Sequence, residues 1–415
     1  MLLSERARRR LASPSGILEE TKAISKHPNI ADMVRFDIGN INPEIFTRYF
    51  HDLSLSLYHA SEDGKNVYDG VSAGIESLRK GYSRYFAESG YKIPASSIFL
   101  SSGGMGGLSL VDDNILNPYD IVLTTDPRWE TRESQQAPII SKTQITRLPL
   151  YEELGWQFKP KELEEMLVLG TKVFEWSSPL NPTGTKIKSE YFDEAVPIIH
   201  SYAKTHPDFR ILEDWAYHRV NYSGEFTTFL DAPELADRVI IVNSLSKSFA
   251  MPGWREGMIA VVGESQQDFE LHEALENNMR TSTTCLFTPA QHAVAEALNS
   301  DEIFQRQEEM ILKEYLPRRN RMVEALERAE VSFVKPDGAI YVLANVKRYG
   351  TPSEVAKKLQ DEYGITVVTG GHFGKRASNH VRINYMGPTD ERFEVGLERL
   401  EKTFTELAKI EIPAA

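Results

Sequence analysis

Seven short apolar runs, set well apart along the chain, constrain its fold more than any other feature. They are SSIFLSS, DIVLTTD, ITRLPL, TKVFEWSS, FRILEDW, RVIIVNS and GMIAVVG, spread from about Ser97 to Gly263. Runs rich in Ile and Val and bounded by polar turns read as buried strands. Several lie too far apart for hairpins, so helical crossovers must join them, and strands joined that way run parallel. The spacing therefore predicts an α/β fold with a mostly parallel sheet flanked by helices. A chain of 415 residues, 41% of them hydrophobic, can fill such a core and still build a second, smaller unit.

The texture changes beyond about residue 265. A long helical region with charged faces runs to about Ala329, and VSFVKPDGAIYVLANV then reads as two strands around a Pro-Asp-Gly turn. HVRINYM is a further strand. Phe393, Val395, Leu397, Leu400, Phe404 and Leu407 stripe a final amphipathic helix. These elements predict a smaller α+β domain. The expected division is an arm and part of the small domain over residues 1–50, a large domain over 51–300 and a C-terminal small domain over 301–415. RFDIGN, at the end of the arm, is expected to pack nearby.

Bulk properties exclude several functions. A net charge of −13 argues against nucleic acid or an anionic membrane as the main partner, because both attract basic patches. No apolar run approaches the roughly 20 residues needed to cross a bilayer. The single cysteine, Cys285, excludes an internal disulfide and fits a reducing compartment such as the cytoplasm. The opening MLLSERARRRLASPSG is arginine-rich without an apolar core, and reads as the start of a helix rather than a cleaved targeting segment.

In an open α/β sheet, ligands sit outside the carboxyl ends of the strands. SSIFL leads into SSGGMGGLSL, where glycines would let backbone N–H groups approach a phosphate at a helix N-terminus. A plain glycine-rich turn explains the same residues, and neither common nucleotide-binding fingerprint is matched. Trp129, just past DIVLTTD, could stack on a planar ligand or simply fill space. Asn181 stands in a rigid PLNPTG turn, where its amide could meet an oxygen. FRIL ends at EDWAY, which offers Asp214 and Tyr217. A carboxylate at the end of a buried strand needs a partner, unless it merely caps a helix. RVIIV ends at NSLSK, so Lys247 would emerge at the same sheet edge. An amine among other cations has a depressed pKa and forms imines with carbonyls. Arg255 and the Ser244 hydroxyl could grip a phosphate nearby. Each residue alone has an ordinary explanation. Their appearance at successive strand ends points to one site.

With these residues in view, the sequence resembles the fold-type I pyridoxal-phosphate enzymes, specifically the class I/II aminotransferases of the aspartate aminotransferase superfamily. SLSKSFAMPGWREG resembles that family's S-x-[ST]-K…PG-x-R-x-G signature, with NPTG and DWAY upstream and YDGVSAGIESLRKGYSRYF similar to its Y-x5-G-x3-LR segment. The resemblance implies the pyridoxal-phosphate transferase fold, with a seven-stranded sheet in the large domain. It implies transfer of an amino group from an amino acid to a 2-oxo acid, in amino acid metabolism or biosynthesis. Lyase, cyclase or oxidative deaminase chemistry on the same scaffold is the alternative. Lys247 would hold the cofactor as a Schiff base and act as general base. Asp214 would keep the ring nitrogen protonated, Tyr217 and Asn181 would bond the phenolic oxygen, and Trp129 would stack on the ring. Gly104, Met105, Ser244 and Arg255 would bind the phosphate, and Tyr68 would reach the phosphate of a neighbouring subunit, which implies a homodimer. Arg382 would clamp the substrate carboxylate, with Asn181 beside it, and Gly39 lies in the segment that closes over substrate. No residue matches the arginine that aspartate-specific members use for the distal carboxylate, so the resemblance does not extend to that specificity.

Overall fold

A strand covered on both faces must be apolar at every position rather than at alternate ones. Val239–Val242 meets that condition, and all six residues of its strand, Val239–Ser244, are buried. The computed structural model, which describes residues 2–68, 70–224 and 226–409, places this strand inside a seven-stranded sheet. In chain order the strands are β1 (Val34–Arg35), β2 (Ile98–Ser102), β3 (Ile121–Asp126), β4 (Ile145–Pro149), β5 (Thr171–Ser177), β6 (Arg210–Asp214), β7 (Val239–Ser244) and β8 (Glu256–Val261). There follow β9 (Ser332–Phe333), β10 (Tyr341–Asn345), β11 (Ile365–Thr366), β12 (Val368–Thr369) and β13 (His380–Asn384). The large sheet has the order β2-β8-β7-β6-β5-β3-β4, and only β8 runs against the others. All seven apolar runs thus join one mostly parallel sheet.

A second, antiparallel sheet has the order β12-β13-β10-β9. A separate parallel pair joins β1 to β11, Val34 opposite Ile365 and Arg35 opposite Thr366. The segment that follows β1, including RFDIGN, is therefore stitched to the C-terminal part of the chain. Before it lie two helices. Glu5–Ala12 is capped by Ser4 and buries no side chain, whereas Gly16–Ile24, capped by Ser15, buries Ile17 and Ile24. No helix among the described residues is long and apolar enough to cross a membrane.

Three sequence expectations are refined. The helical region beyond residue 265 is broken into Gln266–Ser282, Thr288–Leu298 and a third stretch in which the π-helical turn Ile311–Tyr315 joins Glu302–Met310 to Leu316–Arg328. Thr284 takes φ 65°, which no helix continues through, and Pro289 opens the next helix. The Pro-Asp-Gly segment is not a tight hairpin turn. The N–H groups of Asp337 and Gly338 both donate to Gly184 O at 2.9 Å, so the loop docks on the NPTG turn. On the last helix, Asp390–Leu407, Val395 is 36% exposed while Phe393, Leu397, Leu400, Phe404 and Leu407 are buried. Two residues from both Phe393 and Leu397, it turns away from their face.

Candidate active site

The strand order reverses between β3 and β5. The chain steps from β3 outward to β4 on one side, and from β5 through β6 and β7 to β8 on the other. That reversal opens a crevice at the carboxyl ends of the strands. A cavity of about 420 Å³ lies there, a size suited to a small molecule. Its wall includes Gly39, Gly104, Met105, Trp129, Asn181, Asp214, Tyr217, Ser244, Lys247, Arg255 and Arg382. Tyr68 is the exception. It is 80% exposed, between the helices Pro43–Glu62 and Glu76–Ala87, and lines no part of this cavity.

Lys247 is delivered by the end of β7. The Ser244 hydroxyl accepts from Ser246 N at 3.1 Å and caps a one-turn helix, Leu245–Ser248, that carries the lysine. The Tyr315 hydroxyl pins the Lys247 carbonyl at 2.8 Å, and the ammonium donates to Gly39 O. Burial pushes the pKa of that amine below its ordinary value, and the positive charges of Arg382 and Arg255 push the same way against Tyr341. Asp214 ends the neighbouring strand, β6. Burial raises its pKa to about 6, and Glu175 adds to the rise, while the Ala216 N–H at 3.0 Å and Arg132 oppose it. No salt bridge reaches Asp214 among the described residues. It is a half-buried acid short of a cation.

Arg382, on β13, is 3% exposed and faces the cavity from the antiparallel sheet. It donates to Asn181 Oδ1 at 3.1 Å and to Asp37 O at 2.9 Å, and its guanidinium stacks 4.3 Å from the Tyr341 ring centre. The Tyr217 hydroxyl donates to Tyr341 Oη at 3.1 Å. Burial would raise the Tyr341 pKa, but Arg382, Lys247 and the Tyr217 hydroxyl outweigh it and hold the phenol below its ordinary value. Burial and the adjacent Tyr341 push Tyr217 the other way, well up.

At the opposite end, β2 turns into the helix Gly103–Ile115 through Gly103, whose φ of 64° suits glycine. The Gly103 N–H donates to Arg255 O at 2.8 Å, which leaves the N–H groups of Gly104 and Met105 at the helix start without intrahelical acceptors. The Arg255 guanidinium donates to Pro252 O at 2.8 Å and Ser102 O at 3.2 Å, and remains exposed. Gly257 is required beside it, because a Cβ there would stand 2.7 Å from the Gly103 carbonyl carbon. The result is a cationic notch beside open backbone donors, a geometry that suits an anion.

Sequence reasoning missed part of the wall. Arg132, 1% exposed, bonds Asp112 at 2.7 and 3.1 Å and Glu175 at 3.0 Å twice, a buried ion triad on the cavity floor. Arg128, Tyr341 and Asp37 also line the cavity. So does the early helix Gly16–Ile24, through Ile17, Leu18 and Thr21. Polar ties hold that helix at the rim. Ser15 Oγ and Gly16 N each donate to Glu130 at 2.9 Å, and Glu20 meets His372 Nε2 at 3.1 Å.

A mostly parallel α/β scaffold whose strand ends set Lys247, Asp214 and Arg255 around one cavity, with Arg382 facing them from the antiparallel sheet, has the layout of a pyridoxal-phosphate transferase. The sequence profile of the family Aminotransferase class I and II matches residues 54–400. The aspartate aminotransferase of Thermotoga maritima is 29% identical over 329 residues, 79% of this chain and 81% of that one. That of Pyrococcus abyssi is 31% identical over 275 residues, 65% of this chain and 67% of the other. The solved structure of the aspartate aminotransferase from Thermus thermophilus with maleate superposes with a TM-score of 0.83 at 26% identity, covering 97% of this chain and all of that one. The chain belongs to the class I and II aminotransferases. It is an enzyme of amino-group transfer, in a family whose members use pyridoxal phosphate. Elimination, cyclisation and oxidative deamination, open from the sequence alone, gain no support from these relatives.

Proposed function

We propose that this enzyme binds pyridoxal 5'-phosphate in the cavity and moves an amino group from an amino acid to a 2-oxo acid. The observation that carries the reading is the convergence of Lys247, Asp214 and Arg382 on one enclosed space. The residues present fit the cofactor. Asp214 is a half-buried acid lacking a cation, and a protonated ring nitrogen is one. The notch formed by Gly104, Met105, Ser244 and Arg255 matches a phosphate, Trp129 offers a stacking face, and Asn181 and Tyr217 offer polar groups to a phenolic oxygen. When bound, pyridoxal phosphate supplies an electron sink for charge that develops at the substrate α-carbon.

The chain's own groups do the rest. Arg382 holds the α-carboxylate, oriented by Asn181 and the Asp37 carbonyl. Lys247 would hold the cofactor through its amine. The same amine would take the proton from the substrate α-carbon and return it elsewhere, a role suited to an amine whose pKa is depressed. Ile17, Leu18 and Ile38 help exclude water. Residues 51–300 act as the large, cofactor-binding domain, and 301–415 with part of 1–50 as the small one. The exposed apolar side chains of Val67, Tyr68 and Phe287 support a homodimer in which Tyr68 serves the neighbouring site. We place the enzyme in the cytoplasm, in amino acid biosynthesis.

The test uses purified protein supplied with pyridoxal phosphate. An absorption band that borohydride bleaches, with the added mass on Lys247, supports the reading. Transfer to 2-oxo acids without net ammonia release supports transamination, whereas ammonia appearing without an acceptor defeats it. Sedimentation as a monomer would reject the dimer. Arg382→Ala should raise KM for the amino donor by about 10- to 100-fold, the worth of a charge-assisted hydrogen-bonded contact. Steady-state kinetics check this, and an unchanged KM counts against the contact.

A further inference from the structure

Three arginines line the cavity with donors to spare beyond the triad on its floor, and amino transfer accounts for only two of them. A phosphate fits Arg255 and an α-carboxylate fits Arg382. Arg128 has no such assignment. It stands two residues past β3, where the strand order reverses, and its backbone N–H is tied to Phe373 O at 2.9 Å. Its side chain is 4% exposed and donates once, from Nη2 to Gln136 Oε1 at 3.2 Å, while Nε and Nη1 have no acceptor among the described residues. The carboxylates around it are already committed. Asp112 and Glu175 serve Arg132 and Gln136, and Glu130 serves Ser15 and Gly16. A buried guanidinium nitrogen without an acceptor is costly, so the arrangement is completed only when something in the cavity supplies one.

Resting on the amino-transfer reading, we propose that Arg128 selects the substrate by its side chain, taking an sp² oxygen at the far end of the donor amino acid. A guanidinium only donates, so the matching group is an acceptor, a carboxylate or a carboxamide. Ile17, Leu18 and Ile38 line the same cavity and suit the apolar stem that carries it. This arginine lies beside Trp129 in DPRWE, a stretch whose sequence gives no sign of such a role.

The test is calorimetric titration of the holoenzyme with three unreactive probes: succinate, its monoamide succinamate, and butanoate. The wild type should bind succinate or succinamate about 10- to 100-fold more tightly than butanoate, whichever of the two leads identifying the charged or the neutral acceptor. Arg128→Met should erase that preference and leave the butanoate affinity unchanged, and Arg128→Lys should restore part of it for succinate. A wild type without the preference overturns the proposal. So does a Met variant that keeps it, or one that loses butanoate equally. If the Met variant does not fold, the wild-type preference and the Lys variant decide. Failure of amino transfer itself shows separately, as ammonia release from donors while the binding preference persists.

Discussion

Lys247→Ala should yield a folded protein whose turnover is lower by about 10⁴-fold, the upper range for loss of a positioned general base, with covalent attachment of the cofactor lost as well. The fold should survive because, among the described residues, the ammonium forms no ion pair and its one acceptor is the Gly39 carbonyl. Single-turnover kinetics, with circular dichroism as the control for folding, check both halves. Ordinary turnover in this variant would remove Lys247 from the chemistry. The same variant should no longer acquire borohydride-stable mass, which separates loss of attachment from loss of proton transfer.

Asp214→Asn should lower kcat by about 10²- to 10⁴-fold, the equivalent of the roughly 3–5 kcal/mol at stake when one partner of a buried charge pair is removed. A pH signature accompanies it in cofactor-free protein. Asp214 titrates near 6 in the folded state against an ordinary value of 3.8, so the folded protein holds that proton more tightly than the unfolded chain does. Stability from this group is therefore fully present below pH 4, falls as pH rises towards 6, and is flat above, a loss of about 3 kcal/mol at most. The Asn variant lacks this loss. Denaturant titrations of the two proteins at pH 4, 5 and 6 should show wild type losing ground to the variant as pH rises. Parallel curves would place Asp214 in a more hydrated setting than its burial indicates.

Much of this site was legible because buried parallel strands announce themselves as continuous apolar runs, and because ligands gather where those runs end. Asp214, Lys247 and Ser244 each stand at or just beyond such an end, and the cavity brings them together. The floor was not legible. Glu175 sits within TKVFEWSS, where periodicity reports only a buried strand, and its partner Arg132, like the Asp112 that shares this arginine, lies on a helix far off in sequence. Pairing of that kind depends on which helix crosses which strand, and no local pattern encodes it. Arg128 was hidden for a related reason, since its significance is an unmet hydrogen-bonding need that only three dimensions define. The early helix carrying Ile17 and Leu18 reads from sequence as part of an arm, because its destination at the cavity rim is fixed by Glu130 and His372, distant residues in the chain.

The short pairing of β1 with β11 has a mechanical consequence. It fastens the segment carrying Asp37 and Gly39 to the C-terminal part of the chain, which also bears Arg382, and Arg382 bonds the Asp37 carbonyl there. The reach from the Lys247 ammonium to Gly39 instead runs from the end of the large sheet to that C-terminal part. Sliding one over the other would lengthen or shorten that reach while the carboxylate grip stayed intact, which makes the Lys247–Gly39 contact a natural gauge of how far the two have drawn together.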